Sequence, residues 1–293
     1  MGTEGVAAHG APKAQAIQLS KLLAQVFGGE RFPVDVEQLA LEYSKQRYPD
    51  PHIARIERLD AASFEGCLKA NADRSRWLIA YSAAHGSPGR VRFTVAHEFG
   101  HYLLHRSLQA LFECTDSDIY DWDSPARRME AEADTFASYL LMPLDDFRSQ
   151  LGANTISLEF LEHCRSRYGV SRMAAALKWI EIAPRRALVV VARDGFLLWA
   201  RANEAAFKSG AYLATRRRTI EVPSRSLLAD IDAGSTASLA VQSARIWFPR
   251  EPQSMAVTEL AIRVGGPYPY VLGILMLPEA QKPWEHTDTD DDK

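Results

Sequence analysis

The chain reads as an α+β protein in successive parts: a mixed helix-and-strand part, a short helical segment, and a β-rich C-terminal part. Three observations predict this. Through the first half, apolar residues recur at helical spacing on either side of three short strand-like runs. Residues 155–183 hold two helical patterns around Tyr168-Gly169-Val170-Ser171. Beyond Pro184 the character changes to that of strands, opening with a hairpin signature at Arg193-Asp194-Gly195. The division expected is a disordered N-terminus at 1–12, a first domain at 13–150, a helical segment resembling a helix-turn-helix at 151–183, a β-rich domain at 184–280, and a disordered acidic tail at 281–293.

Taken in order, Gln15 to Phe27 is apolar at helical spacing and ends at Gly28-Gly29, a C-cap signal. Val34 to Tyr43 reads as a second helix, entered after Pro33. Strand candidates follow at His52–Leu59, Phe64–Ala70 and Arg76–Tyr81. Ser87-Pro88-Gly89 breaks the pattern, and a helix is expected from about Arg90 to Arg106. After an irregular acidic stretch, Cys114 to Ser124, a further helix runs from about Arg127 to Leu141 and stops at Pro143. In the C-terminal part the strand candidates are Ala187–Ala192, Phe196–Ala200, Thr219–Val222, Ser238–Phe248, Ser254–Val264 and Tyr270–Leu277. There is no internal repeat.

Composition narrows the class. The 293 residues are 47% hydrophobic and 24% charged, enough to bury a core without disulfides. The three cysteines, Cys67, Cys114 and Cys164, are scattered and form no CxxC pair. They predict buried thiols in a reducing compartment, not a cysteine metal site. A net charge of -3 and a pI near 6.3 give no basic excess for nucleic acid. No apolar leader and no run of roughly 20 apolar residues is present, so a cytoplasmic location is expected.

The chemistry concentrates in His97-Glu98-Phe99-Gly100-His101. Residues four apart on a helix share a face, so the two imidazoles can hold one ion, with Glu98 beside that face. This is the HExxH arrangement of metalloproteases: two histidines hold zinc and the carboxylate activates water. The motif lies in an amphipathic stretch with Phe93 and Val95 before it and Leu103 and Leu104 after it. A third ligand is required. The extended form HExxHxxGxxH is excluded, because Leu104 and Ser107 stand where it needs Gly and His. His105 belongs to the same helix and should project past the ion. A carboxylate from the second helix completes a His₂Glu site instead. There Glu130 and Asp134 share a face with the small residues Ala133 and Ala137, suited to lying against the motif helix, while Glu132 points roughly opposite and reads as a solvated acid. We assign Glu130 as third ligand and Asp134 as acceptor for a ligand imidazole N–H. One Zn2+ per chain is expected. Tyr102, His105 and Arg92 are candidates for steadying an oxyanion or contacting substrate. A substrate backbone would lie along an edge strand, with Arg76–Tyr81 the candidate.

The run His97 to His105 (HEFGHYLLH), followed by Glu130 to Pro143 (EAEADTFASYLLMP), resembles the ImmA/IrrE family of bacterial metallopeptidases. The resemblance covers roughly residues 15–150, with Arg92-Phe93-Thr94-Val95-Ala96 similar to the family's approach to its active helix. It implies a gluzincin-like zinc peptidase domain and Glu130 as third ligand. It also implies site-specific cleavage of a partner, usually a helix-turn-helix repressor, that switches on stress-response or mobile-element genes. Here that partner must be a separately encoded protein.

Two readings from different classes follow. The first is a zinc endopeptidase with a protein substrate and no membrane association. The second is a non-catalytic transcriptional regulator on a retired peptidase fold. Direct nucleic-acid binding is disfavoured, because the second helix of the 158–182 segment offers Met173, Ala174, Ala175, Ala176, Leu177, Trp179 and Ile180 with only Arg172 and Lys178 basic. Arg216-Arg217-Arg218 reads as a solvated loop or a site for an acidic group.

Overall fold

The computed structural model describes residues 11–59, 65–82, 87–114, 124–151, 156–229, 236–266 and 268–280. Of the segments expected to be disordered, 281–293 and all of 1–12 but Ala11 and Pro12 lie outside these residues, as does most of the acidic stretch 114–124. The chain forms two compact units, Met1–Thr155 with Glu159–Ala175, and Ile156–Leu158 with Ala176–Lys293.

The first unit opens with α1 (Pro12–Phe27), closed by Gly28 at φ 58°, and α2 (Val36–Arg47), whose N-cap Asp35 accepts from the Gln38 amide. Next come β1 (His52–Leu59), β2 (Gly66–Ala70) and β3 (Arg76–Ser82), then α3 (Pro88–His105). β4 (Leu111–Cys114) precedes α4 (Pro125–Leu141), α5 (Leu144–Leu151) and α6 (Leu158–Tyr168). The four strands form a mixed sheet in the order β1-β3-β2-β4, with β1 parallel to β3 and the other pairs antiparallel. β3 is therefore an interior strand. Its backbone is paired on both sides, and the expectation that Arg76–Tyr81 receives a substrate strand is corrected: β4 and β1 are the edges.

The two helices that matter most begin alike. Ser87 and Ser124 each cap with the side-chain oxygen, and Pro88 and Pro125 each take the first helical position. Ser87-Pro88-Gly89 is thus a helix start, not only a break. α3 and α4 pack closely because Gly100 has no side chain. A Cβ there would stand 3.0 Å from Phe136 Cδ1 and 3.3 Å from Ala133 Cα. Ala133, Ala137 and Leu141 are wholly buried on the facing side.

α7 (Arg172–Ile180) leads into the second unit, where β5 (Arg186–Arg193), β6 (Phe196–Ala202), β7 (Ala237–Ser243), β8 (Ala256–Val264) and β9 (Tyr270–Leu277) form an antiparallel sheet in the order β6-β5-β9-β8-β7. Asp194 and Gly195 take positive φ at the β5–β6 turn, as the hairpin signature requires. One face packs Leu188, Val190, Val257, Ala261 and Leu275 against Trp247 and Phe248. Thr219–Val222 is not a strand; only Glu221 bridges to Phe196. A five-residue helix, α8 (Glu204–Lys208), follows β6 with Asn203 as its N-cap. The buried Glu259 carboxylate accepts from Trp247 Nε1, Ser226 Oγ and the Leu227 amide, which fixes the 223–229 loop to the sheet. No described helix is long and apolar enough to cross a membrane.

Candidate metal centre

α3 carries His97, His101 and His105 at intervals of four, so all three imidazoles line one face. That face is buried. The close crossing at Gly100 brings the first turns of α4 alongside it. His97 Nε2 and His101 Nε2 lie 3.0 Å apart. The Glu130 carboxylate closes the triangle, with Oε2 3.1 Å from His97 Nε2 and Oε1 3.3 Å from His101 Nε2. One donor atom from each residue lies within 4.8 Å of the others, so the cluster could hold a metal ion. The donor set fits. Ligand atoms about 2.0–2.1 Å from a tetrahedral ion stand about 3.3 Å apart, and two nitrogens with one carboxylate are a zinc-type set that leaves a fourth position open.

The electrostatics suit a cation. Burial depresses the His101 pKa, keeping the imidazole neutral with a lone pair to offer. Burial alone would raise the Glu130 carboxyl, but hydrogen bonds and charge from His101 and His97 outweigh it and hold the group well below the usual carboxylate range. His97 Nδ1 lies 2.9 Å from Asp134 Oδ1, so the imidazole's second nitrogen has a carboxylate to donate to.

Glu98 is fully buried. Its room comes from Gly66 on β2: a Cβ at that position would sit 2.7 Å from Glu98 Oε1 and 2.5 Å from Thr94 Cγ2. The strand glycine therefore fixes where the carboxylate lies. Phe112 on the edge strand β4 stacks on the His101 ring at 4.6 Å between centroids, which places that edge beside the cluster.

The remaining candidates sit differently. The Tyr102 hydroxyl donates to the Pro51 carbonyl at 2.6 Å, and its ring is buried against Trp77, Phe99 and Tyr48. It serves the core, and its burial pushes the hydroxyl pKa up. Arg92 Nη1 donates to the Gly169 carbonyl at 2.7 Å, tying the start of α3 to the turn after α6. Gly169 takes φ 62°, and a Cβ there would strike Arg92. Neither residue is aimed at the cluster as an oxyanion donor. His105 Nδ1 lies 3.1 Å from His101 Nδ1, and His105 Nε2 lies 2.9 Å from Glu132 Oε2. Glu132, expected as a solvated acid, is instead the partner of a buried histidine. Sequence reasoning also missed Gly66 and Phe112. A glycine at a strand start and a phenylalanine in a four-residue strand carry no periodic signal.

Residues 51–179 match the model of the IrrE N-terminal-like domain, Peptidase_M78. No curated protein matches. Among solved structures, a Mycobacterium tuberculosis transcriptional regulator is similar in fold, with a TM-score of 0.57 and 15% identity over 91% of this chain and 76% of that one. The matched stretch contains both helices of the metal centre and supports membership of the ImmA/IrrE family through an IrrE N-terminal-like domain.

Proposed function

We propose that the protein is a zinc-dependent, site-specific endopeptidase of the cytoplasm that cuts a regulatory protein, a separately encoded helix-turn-helix repressor, and so switches on stress-response or mobile-element genes. The observation that carries this reading is the convergence of His97, His101 and Glu130, with the buried Glu98 one residue after the first of them.

His97, His101 and Glu130 would hold one Zn2+. When bound, that ion supplies a Lewis acid that polarises a carbonyl and brings the pKa of water toward neutrality. The chain's own residues do the rest. Asp134 accepts the His97 Nδ1–H and holds that ring in place. Glu98 takes a proton from the attacking water and later delivers it to the leaving amine nitrogen, so water adds across the broken C–N bond. The absence of a side chain at Gly66 leaves the Glu98 carboxylate the room it occupies during both transfers. The substrate backbone pairs as an added strand with β4, the edge strand among the described residues whose Phe112 stacks on His101.

A second reading, a transcriptional regulator without catalysis, is favoured by the description of the M. tuberculosis neighbour. Two features weigh against it. The three metal-type donors and Glu98 are all in place, and the apolar face of α7 is buried at Ala175, Ala176, Trp179 and Ile180, so it is not free to enter a DNA groove. The test is metal analysis of the purified protein beside cleavage of a captured partner. Wild type should carry one equivalent of zinc and cut; Glu98→Gln should carry the same zinc and leave the partner whole. Equal cleavage by the variant contradicts the proposal.

A further inference from the structure

The two histidine ligands are supported unequally. His97 has a carboxylate directly on its second nitrogen, at 2.9 Å. His101 is completely buried and has another imidazole there, His105, which in turn meets Glu132 at 2.9 Å. His105 is also buried, and Phe112 covers both rings. Glu132 stands at the outer end of this chain, with half of its side chain exposed.

Proton counting assigns each atom a role. A bond between two imidazole nitrogens takes one proton, carried by one ring or the other. If His105 carried it on Nδ1 and stayed neutral, its Nε2 lone pair would face the Glu132 carboxylate, a repulsive contact. The carboxylate therefore draws the His105 proton to Nε2. His105 Nδ1 is left as an acceptor, and His101 must place its own proton on Nδ1. That frees the His101 Nε2 lone pair on the side of His97 and Glu130. We propose that Glu132 and His105 are positioning residues that fix the tautomer of His101 and keep its Nε2 ready for the metal. The role in metal binding rests on reading the cluster as a metal site; the proton arrangement does not.

The arrangement also explains why His105 is needed. Glu132 lies on the solvent side of α4 and its carboxylate meets His105, not the buried His101. A second imidazole carries the carboxylate's preference inward by one ring. Glu130 contacts both imidazoles directly.

The experiment uses the full-length chain, wild type and Glu132→Gln. Glutamine keeps the shape but can donate or accept, so it no longer selects a proton position. Nitrogen-15 NMR of the histidine rings in the metal-free protein should show His101 protonated at Nδ1 and His105 at Nε2. In Glu132→Gln these become mixtures. Zinc affinity, read by competition with a chelator, should fall about tenfold. The melting temperature of the metal-free protein should not move, because Glu132 is half exposed. In a His105→Gln background the imidazole that links Glu132 to His101 is gone, and there Glu132→Gln should have no further effect on affinity. His101 protonated at Nε2 in the wild type, or additive losses in the double variant, would overturn the proposal. Wild-type protein with these tautomers but no zinc affinity would sink the metal reading and leave the proton arrangement standing.

Discussion

Gly66→Ala tests how tightly the Glu98 carboxylate is held. The new methyl would stand 2.5 Å from Thr94 Cγ2 and 2.7 Å from Glu98 Oε1. Carbon atoms in contact sit about 3.5–4.0 Å apart, so the shortfall against Thr94 is about 1 Å. β2 is paired on both sides, to β3 and β4, and cannot retreat cheaply. The side chains on α3 must move instead. A misplacement of about 1 Å at a reacting group can cost about 100-fold in rate, equivalent to about 2.7 kcal/mol. The backbone itself loses nothing, since alanine is the better strand residue by about 0.5–1 kcal/mol, which offsets part of an overpacking cost of about 1–3 kcal/mol. The expected signature is a protein that folds, binds zinc at full stoichiometry, and releases the new N-terminus of its substrate about 100-fold more slowly. The assay is quantitative mass spectrometry of that N-terminal peptide against time, beside metal analysis. Wild-type cleavage at normal zinc content would refute the idea that Gly66 positions the base.

Three further expectations follow from the same packing. Glu130→Ala removes the carboxylate that spans both imidazoles, so zinc occupancy after dialysis should drop well below one equivalent; unchanged metal content would move the third ligand elsewhere. Gly100→Leu should force α3 and α4 apart, lowering both melting temperature and zinc affinity, with an overpacking cost of about 1–3 kcal/mol; a variant with native affinity would show that the crossing does not place Glu130. Asp146 on α5 accepts from Arg167 Nε and Nη2 and from the Tyr168 hydroxyl on α6. Burial alone would raise its carboxyl, but these bonds prevail and hold it below the ordinary range. A depressed folded pKa means the contribution is fully present above about pH 4 and is lost as pH falls through the folded value. Asp146→Asn should therefore cost about 1–3 kcal/mol at neutral pH, with the gap to wild type narrowing in acid; a gap that widens in acid would contradict the assignment.

The parts of the fold that were legible were those with a period. The spacing of four between His97 and His101, and between Glu130 and Asp134, fixes faces without any knowledge of tertiary structure. Strands with seven or eight residues, such as β1 and β9, announce themselves by composition. Short elements do not: β4 has four residues, α8 five and α5 eight, too few for a periodic signal. Ser87-Pro88 reads as a break and Ser124 as the end of an irregular stretch, yet each serine is an N-cap followed by proline at the first helical turn, so both helices start two residues earlier than expected. Glu132 was misplaced because a helical wheel gives direction about one axis only. It places Glu132 away from Glu130, yet His105, a turn further along α3, lies within reach of its long side chain. Tyr102 and Arg92 were named for their chemistry, and only the packing shows the Pro51 and Gly169 carbonyls that engage them.

In the function proposed above, this chain cuts a partner protein and Glu98 is the base. The most direct measurement compares protein N-termini by mass spectrometry in native cells carrying wild type or Glu98→Gln, with and without stress. A new N-terminus inside one regulatory protein is expected, present with wild type and absent with the variant. Identical sets of N-termini in every condition, from cells in which wild type and variant are equally abundant and equally loaded with zinc, would contradict it.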